Sequence, residues 1–303
     1  MLTLPLALPL GHADSRLILS LSGGKDSTAT LLALRESGIS ASYVFADTGW
    51  EVPLVYDYLA ELERLLNITI DRVGVPGGFR ALALQHGILP HGKTAWCSRD
   101  LKVKVLQRYH AQVEEREGVD TVSVVGIRNE ESAARAKIDQ EFEYSDRWGG
   151  YVYRPLLRAT VEEVLSLHHR HGVPLNPLYK LGFSRVGCAP CRNANKTDLR
   201  LWVEHFPERI DAVRDLERDV SAVRGARGHD GPATFFLSTN KVPIGIDEAV
   251  AWSRTTRGGR QLPLLRDDPD GGCFRWGMCE PPTREADDMK EDSRWMASFR
   301  STR

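Results

Sequence analysis

Residues 20–30 read Ser-Leu-Ser-Gly-Gly-Lys-Asp-Ser-Thr-Ala-Thr, and they lie between two apolar runs, Leu17-Ile18-Leu19 and Leu31-Leu32-Ala33-Leu34. An apolar run, a glycine-rich turn and a second apolar run predict a strand, a tight turn and the start of a helix. Gly23 and Gly24 permit tight backbone geometry and close approach of a ligand. The N–H groups of such a turn and of the helix that follows make an anion site. Lys25 adds a point charge for a phosphate, and Ser22, Ser27 and Thr28 add hydroxyls. The stretch therefore reads as a phosphate cradle. It is not a Walker A loop, whose pattern is Gly-x4-Gly-Lys-Ser/Thr: here the glycines are adjacent and Asp26 follows the lysine.

Outward from this turn, strand-like segments at about 17–21, 42–46, 68–73 and 121–126 alternate with helix-like segments at about 26–37, 52–66, 100–114 and 160–171. Such alternation predicts an α/β fold, a parallel sheet with helices on both faces. Ligands in these sheets bind beyond the carboxyl ends of the strands. The turn at 22–27, Asp47 and Arg128 all fall at such ends. From about Gly182 the texture changes. A Cys-x-x-Cys arrives at 188–191, polar helical segments follow at about 195–206 and 207–222, and loop-like sequence covers about 223–232 and 254–273. The expected organisation is an extension at 1–15, a nucleotide-binding α/β domain at 16–181, a smaller, mainly helical cysteine-bearing region at 182–280 and a charged tail at 281–303.

Composition narrows the function classes. The 303 residues are 42% hydrophobic, near the globular average, which predicts a packed core. The net charge of −1 provides no general basic field for nucleic acid, although the 40 Lys and Arg leave room for a local patch and so for a nucleic-acid acceptor. MLTLPLALPL at the start lacks a basic n-region and reads as a short extension, not a signal peptide. No apolar run approaches the ~20 residues that span a membrane, so a soluble, cytoplasmic protein is expected. Five widely spaced cysteines, Cys97, Cys188, Cys191, Cys273 and Cys279, argue against a secreted disulfide framework and for metal or redox work.

Three further strings carry chemistry. Asp47-Thr48-Gly49-Trp50-Glu51 follows a strand, and Asp47 is a candidate for Mg²⁺ or nucleotide contact, or a cap for the next helix. Gly126-Ile127-Arg128-Asn129-Glu130-Glu131-Ser132-Ala133-Ala134-Arg135 also follows a strand. Arg128 and Arg135 carry the guanidinium forks that suit phosphates, while Glu131 stands four residues before Arg135, the spacing of a simple helical ion pair. Cys188 and Cys191, with Cys97 if the fold brings it near, offer thiolates for a [4Fe–4S] cluster or zinc, and Cys279 or Cys273 would complete four. His168, His169 and His171 read as a solvated patch at a helix end.

Ser-Gly-Gly-Lys-Asp-Ser resembles the PP-loop of the ATP pyrophosphatase superfamily, whose members cleave ATP between the α and β phosphates and adenylate a substrate. Asp-Thr-Gly-Trp-Glu and Gly-x-Arg-x-x-Glu-Ser-x-x-Arg are similar to strings of its sulfate-activating and phosphoadenylyl-sulfate reductase branches. The cysteine positions, together with residues 252–261, resemble the iron–sulfur-bearing phage-type and DNA-phosphorothioation relatives. The resemblance implies a Rossmann-like, adenine nucleotide alpha hydrolase-like fold that binds ATP and Mg²⁺. It implies that Ser22, Gly23, Gly24, Lys25, Asp26, Ser27, Asp47, Gly126 and Arg128 form the nucleotide site, with Lys25, Asp26, Arg128 and Arg135 acting in catalysis. It implies a [4Fe–4S] cluster, or zinc in its place, on Cys97, Cys188, Cys191 and Cys279. The expected activity is ATP-dependent adenylation coupled to sulfur transfer, with a small-molecule nucleotide and a sulfur donor protein as partners and room for a homo-oligomer. The alternatives are a sulfonucleotide reductase, a sulfate adenylyltransferase subunit and a non-catalytic ATP-binding module.

Overall fold

The computed structural model describes residue 12 and residues 14–90, 95–132, 135–237 and 243–255. The first half alternates as its sequence pattern requires: β1 (Arg16–Ser20), α1 (Lys25–Glu36), β2 (Ser42–Asp47), α2 (Pro53–Leu66), β3 (Ile70–Gly74) and α3 (Gly78–His86). A short helix α4 (Trp96–Ser98), one π-helical turn (Arg99–Val103) and α5 (Lys104–Glu117) lead into β4 (Thr121–Val125). Two 3₁₀ turns (Asn129–Glu131 and Arg135–Lys137) precede the hairpin β5 (Phe142–Ser145) and β6 (Gly150–Tyr153). Then come α6 (Val161–Arg170), α7 (Pro177–Lys180), α8 (Lys196–His205), α9 (Pro207–Ala226), the small pair β7 (Phe236–Leu237) and β8 (Pro243–Ile244), and α10 (Ile246–Ser253).

Six strands form one sheet in the order β3-β2-β1-β4-β6-β5, and β5 alone runs antiparallel to its neighbour. The two-residue period of β1 sends Leu17 and Leu19 to one face and Ile18 to the other. Ile18 packs with Val44, Leu106, Tyr109 and Val113 against α5, while Leu17 and Leu19 join the larger core with Leu31, Leu32, Val164 and Leu167 of α1 and α6. Both faces are therefore covered, as a parallel sheet demands. The chain moves outward from β1 through β2 to β3, then returns to place β4 on the other side of β1. That reversal opens a crevice between the carboxyl ends of β1 and β4, where ligands bind in open α/β sheets.

The strand and helix segments expected in the first half are present with ends shifted by a few residues. The sequence pattern did not announce α3, bracketed by glycines at 77, 78 and 87, nor the β5–β6 hairpin. The C-terminal helices share the main core: Leu199, Trp202, Ile210, Val213 and Leu216 belong to the same cluster as the sheet. Among the described residues no helix is long and apolar enough to cross a membrane.

Candidate functional site

Residues 21–24 turn sharply between β1 and α1, and Gly23 takes a left-handed φ of 74° that disfavours any residue with a Cβ. The turn donates its N–H groups to hydroxyls. Ser22 N–H reaches Ser27 Oγ at 3.2 Å, Gly24 N–H reaches Ser22 Oγ at 3.4 Å, and Lys25 N–H reaches the Tyr179 hydroxyl at 3.2 Å. Neutral hydroxyls are weaker acceptors than phosphate oxygens, so these donors suit an anion. The turn is braced from below, where Asn176 Nδ2 donates to Gly23 O at 3.1 Å and His168 Nε2 lies 2.9 Å from Lys25 O.

Asp26 organises the charges. Its buried carboxylate accepts from Lys25 Nζ at 2.8 Å and from Arg128 Nε at 2.5 Å, across the β1–β4 crevice. Burial alone would raise the Asp26 carboxyl, but the Lys25 ammonium and the Arg128 guanidinium overcome it and hold the group below the usual carboxylate range. Burial opposes the charge of Arg128 in turn, and Asp26 together with Glu131 and Glu130 outweighs it and raises its pKa. Arg128 also donates to Glu130 at 2.8 Å. Gly126 explains how β4 comes so close to α1. A Cβ there would stand 2.6 Å from Ser27 Cα and 2.7 Å from Ser27 N, which is backbone that cannot step aside. Its described role is thus close packing of the two loops.

Asp47 ends β2 and accepts at Oδ1 from Gly49 N–H and from the Tyr56 hydroxyl, both at 2.8 Å, which is the turn-capping arrangement. Arg135 pairs with Glu131 four residues before it, and its backbone N–H donates to Ser132 Oγ at 3.2 Å. Its described partners lie within its own loop, whereas Arg128 joins Asp26. The histidine patch needs correction. His168 is buried, 1% exposed, not solvated, with Nδ1 3.1 Å from Val173 O and Nε2 against the Lys25 carbonyl, and burial lowers its pKa. The α6 pattern held the signal: His168 falls three and four residues after Leu165 and Val164, on the inward stripe.

Beside this centre lies a sulfur cluster of side chains. Cys188 Sγ is 3.6 Å from Thr48 Oγ1 and 3.8 Å from Glu51 Oε1. Glu51 is buried and accepts from the Thr48 hydroxyl at 2.7 Å. Burial pushes the Cys188 thiol up to about 11, although the Lys102 ammonium works against it and Cys191 with it. Burial also raises Cys97, with Arg192 opposing and Cys191 reinforcing. The Cys188 sulfur, as thiolate, favours the charged form of Lys102 more than burial disfavours it. Nearby, Phe79 stacks on Trp96 with ring centroids 5.3 Å apart and lies tilted against Trp50 at 4.9 Å. The indole N–H of Trp96 has no hydrogen-bond partner among the described residues.

The fold brings Cys191 within electrostatic reach of both Cys97 and Cys188, which their spacing alone could not establish. Cys273 and Cys279 lie outside the described residues. Among the described residues no three His, Cys, Asp or Glu side chains close around one point as a metal site. The chemistry of the donors fits a thiolate-bound metal nonetheless: three soft thiols in an aromatic shell, beside Lys102 and Arg192 to offset thiolate charge. The cysteine turn is also tied to the loop after β2. Ala189 N–H donates to Trp50 O at 2.8 Å, Trp50 Nε1 donates to Pro190 O at 3.3 Å, and Arg209 bonds both carbonyls of Trp50 and Ala189 while lying 4.4 Å over the Trp50 ring.

The chain is similar in sequence to known proteins. The profile of the phosphoadenosine phosphosulfate reductase domain matches residues 16–194. An uncharacterized 37.8 kDa protein of Escherichia phage 186 is 32% identical, over 82% of this chain and 91% of the relative. An uncharacterized protein of Methanocaldococcus jannaschii is 30% identical over 67% of this chain, which spans only 41% of that relative. The adenosine 5'-phosphosulfate reductase of Salinibacter ruber is 27% identical over 53% of this chain and 60% of its own length. Among solved structures, the phosphoadenylyl-sulfate reductase of Candida auris in its phosphate complex matches with a TM-score of 0.43 at 21% identity, covering 57% of this chain and 81% of that one.

Proposed function

Since the chain belongs to the phosphoadenosine phosphosulfate reductase domain family, we propose that it is a PP-loop enzyme that binds ATP over residues 22–27, cleaves it between the α and β phosphates and adenylates an acceptor in sulfur transfer. The observation that carries this reading is the intact Lys25–Asp26–Arg128 chain beneath a turn of donating N–H groups. In the reaction the N–H groups of 22–25 and the Lys25 ammonium take the phosphate oxygens. Arg128, held in place by Asp26, stabilises charge that develops as the α-phosphorus is attacked and pyrophosphate leaves. Asp26 carries no part of the bond-making. It keeps two cations fixed in a crevice that burial would otherwise make hostile to them. Asp47 stands at the neighbouring strand end, and with the phosphates it would hold Mg²⁺.

Cys97, Cys188 and Cys191 would hold an iron–sulfur cluster, or zinc in its place, with Cys279 as the fourth donor. A cluster there would supply electrons or sulfur-handling capacity. Lys102 and the Thr48 and Glu51 side chains set the charge and hydrogen bonding around the thiols.

A second reading, a reductase of a preformed adenylyl sulfate, draws on the adenosine 5'-phosphosulfate reductases among the relatives. Such an enzyme needs no ATP. Pyrophosphate release from ATP, measured with anaerobically purified protein and candidate acceptors, separates the two. The proposal expects ATP-dependent pyrophosphate that Lys25→Ala abolishes while the variant keeps its circular dichroism. Turnover unchanged by Lys25→Ala removes the loop from the mechanism, and reduction of adenylyl sulfate without ATP favours the second reading.

A further inference from the structure

A cavity lies apart from the PP-loop, beyond the carboxyl end of β3. It has a volume of about 640 Å³, within the range of roughly 300–1,000 Å³ that small-ligand sites occupy. Two helical stripes wall it. Leu82, Gln85 and His86 come from α3, and Asp100, Lys104, Gln107, Arg108 and Ala111 come from the π turn and α5, where spacings of three and four keep side chains on one face. Val75 closes the strand end and Arg99 the mouth. The π turn at Arg99–Val103 is itself unusual, since such turns are rare and concentrate at functional sites.

The charge of the wall is unbalanced. Arg99, Lys104 and Arg108 are permanent cations, and Asp100 is the one carboxylate among the lining residues. Asp100 accepts from Arg99 at 2.7 Å and from Lys104 at 2.9 Å, with His86 Nε2 3.4 Å away. That leaves an excess of two positive charges. Across from Lys104 and Arg108, Val75 and Leu82 present apolar surface. A dianionic group attached to an apolar body satisfies both walls at once, whereas a metal ion or a neutral apolar ligand satisfies at most one of them.

We infer that the α3–α5 groove is a binding site for a phosphate monoester carried on an apolar or aromatic body, separate from the nucleotide phosphates of the PP-loop. Lys104 and Arg108 take the phosphate, and the Val75–Leu82 side takes the body. This site does not depend on the activity proposed above.

The test is a calorimetric titration of phenyl phosphate and of inorganic phosphate into full-length Lys25→Ala protein, which disables the PP-loop. The expected result is one saturable phenyl phosphate site, tighter than inorganic phosphate and weakened by salt. Arg108→Glu and Lys104→Glu, both at exposed positions and so compatible with folding, should each weaken it roughly tenfold or more. Leu82→Ala should weaken phenyl phosphate and leave inorganic phosphate unchanged. No phenyl phosphate binding by Lys25→Ala, equal binding of the two probes, or affinity indifferent to Arg108→Glu overturns the assignment.

Discussion

Replacing Asp26 by Asn tests the electrostatic account of the site most directly. The substitution keeps the size of the side chain and removes the charge that faces both Lys25 Nζ and Arg128 Nε. All three side chains are buried, so the two cations lose their shared counter-charge in a crevice with little water. Breaking a buried pair by removing one partner costs about 3–5 kcal/mol, and the lower figure applies because the Asn oxygen still accepts one hydrogen bond. At about 2–4 °C per kcal/mol for a chain somewhat smaller than this one, Asp26→Asn should melt about 6–12 °C below the parent when free of ligand. A bound anion restores the missing charge. Pyrophosphate should therefore raise the melting temperature of the variant by more than that of the parent, in which Asp26 already neutralises part of the attraction. The pH dependence follows from the same group. A carboxyl whose folded pKa lies below its unfolded value of about 3.9 contributes stability that is complete above that value and is lost as pH falls through it towards the folded pKa. The variant lacks this acid limb. Thermal melts by circular dichroism at neutral pH, with and without pyrophosphate, read both effects. Ligand-free melting within about 2 °C of the parent would falsify the claim that Asp26 is what holds the two cations.

Three other outcomes are expected. Gly126→Ala forces the loop after β4 away from Ser27, since the new Cβ would lie 2.6 Å from a backbone atom. Pyrophosphate release should fall by about 100-fold, the scale of a displacement near 1 Å, with a stability loss of only about 1–3 kcal/mol; full activity contradicts the close-packing role. His110 is buried, and its Nδ1 lies 2.7 Å from Thr121 Oγ1, which itself donates to Glu114 at 2.6 Å. Burial lowers its pKa from 6.5 to about 4, so the unfolded chain binds the proton first and stability should drop as pH falls from 6.5 to 4. The loss is on the order of 3 kcal/mol, and His110→Gln should flatten that slope in denaturant titrations. Cys188→Ala should empty the thiolate site by iron, sulfide and zinc analysis, because one lost ligand opens a closed site; full metal content in that variant excludes Cys188 as a ligand.

The parts of the site that are contiguous in sequence were legible before the structure. The glycine turn, Lys25 and Asp26, the strand-end Asp47 and the Arg128 loop all announce themselves through local spacing, and the parallel sheet follows from the alternation around them. What stayed hidden are the residues that reach the turn from far along the chain. Tyr179 and Asn176 touch the PP-loop through a helix of four residues that carries no periodic signal. Lys102 and Glu51 meet Cys188 only because three separate segments converge. The solvated reading of His168 fails because it rests on the neighbouring His169 and His171 at a polar helix end, while its own position on the α6 stripe points inward. Arg135 illustrates the reverse case: the plain i,i+4 spacing to Glu131 described its contacts better than the motif did.

The Trp50–Pro190 and Arg209 contacts give the molecule a property that neither loop has alone. The segment that ends β2 carries Asp47 at the strand end and Glu51 against Cys188, and it is clamped to the Cys-x-x-Cys turn by one main-chain bond and by the Trp50 and Arg209 side chains. Any occupant that shifts this segment acts on both ends of it. Linkage then requires symmetry: if a nucleotide changes the affinity of the thiols for a metal by some factor, the metal changes the affinity for nucleotide by the same factor. A nucleotide titration of metal-loaded and metal-stripped protein would put a number on that factor, and a value of one would mean that the clamp is rigid scaffolding with no message to carry.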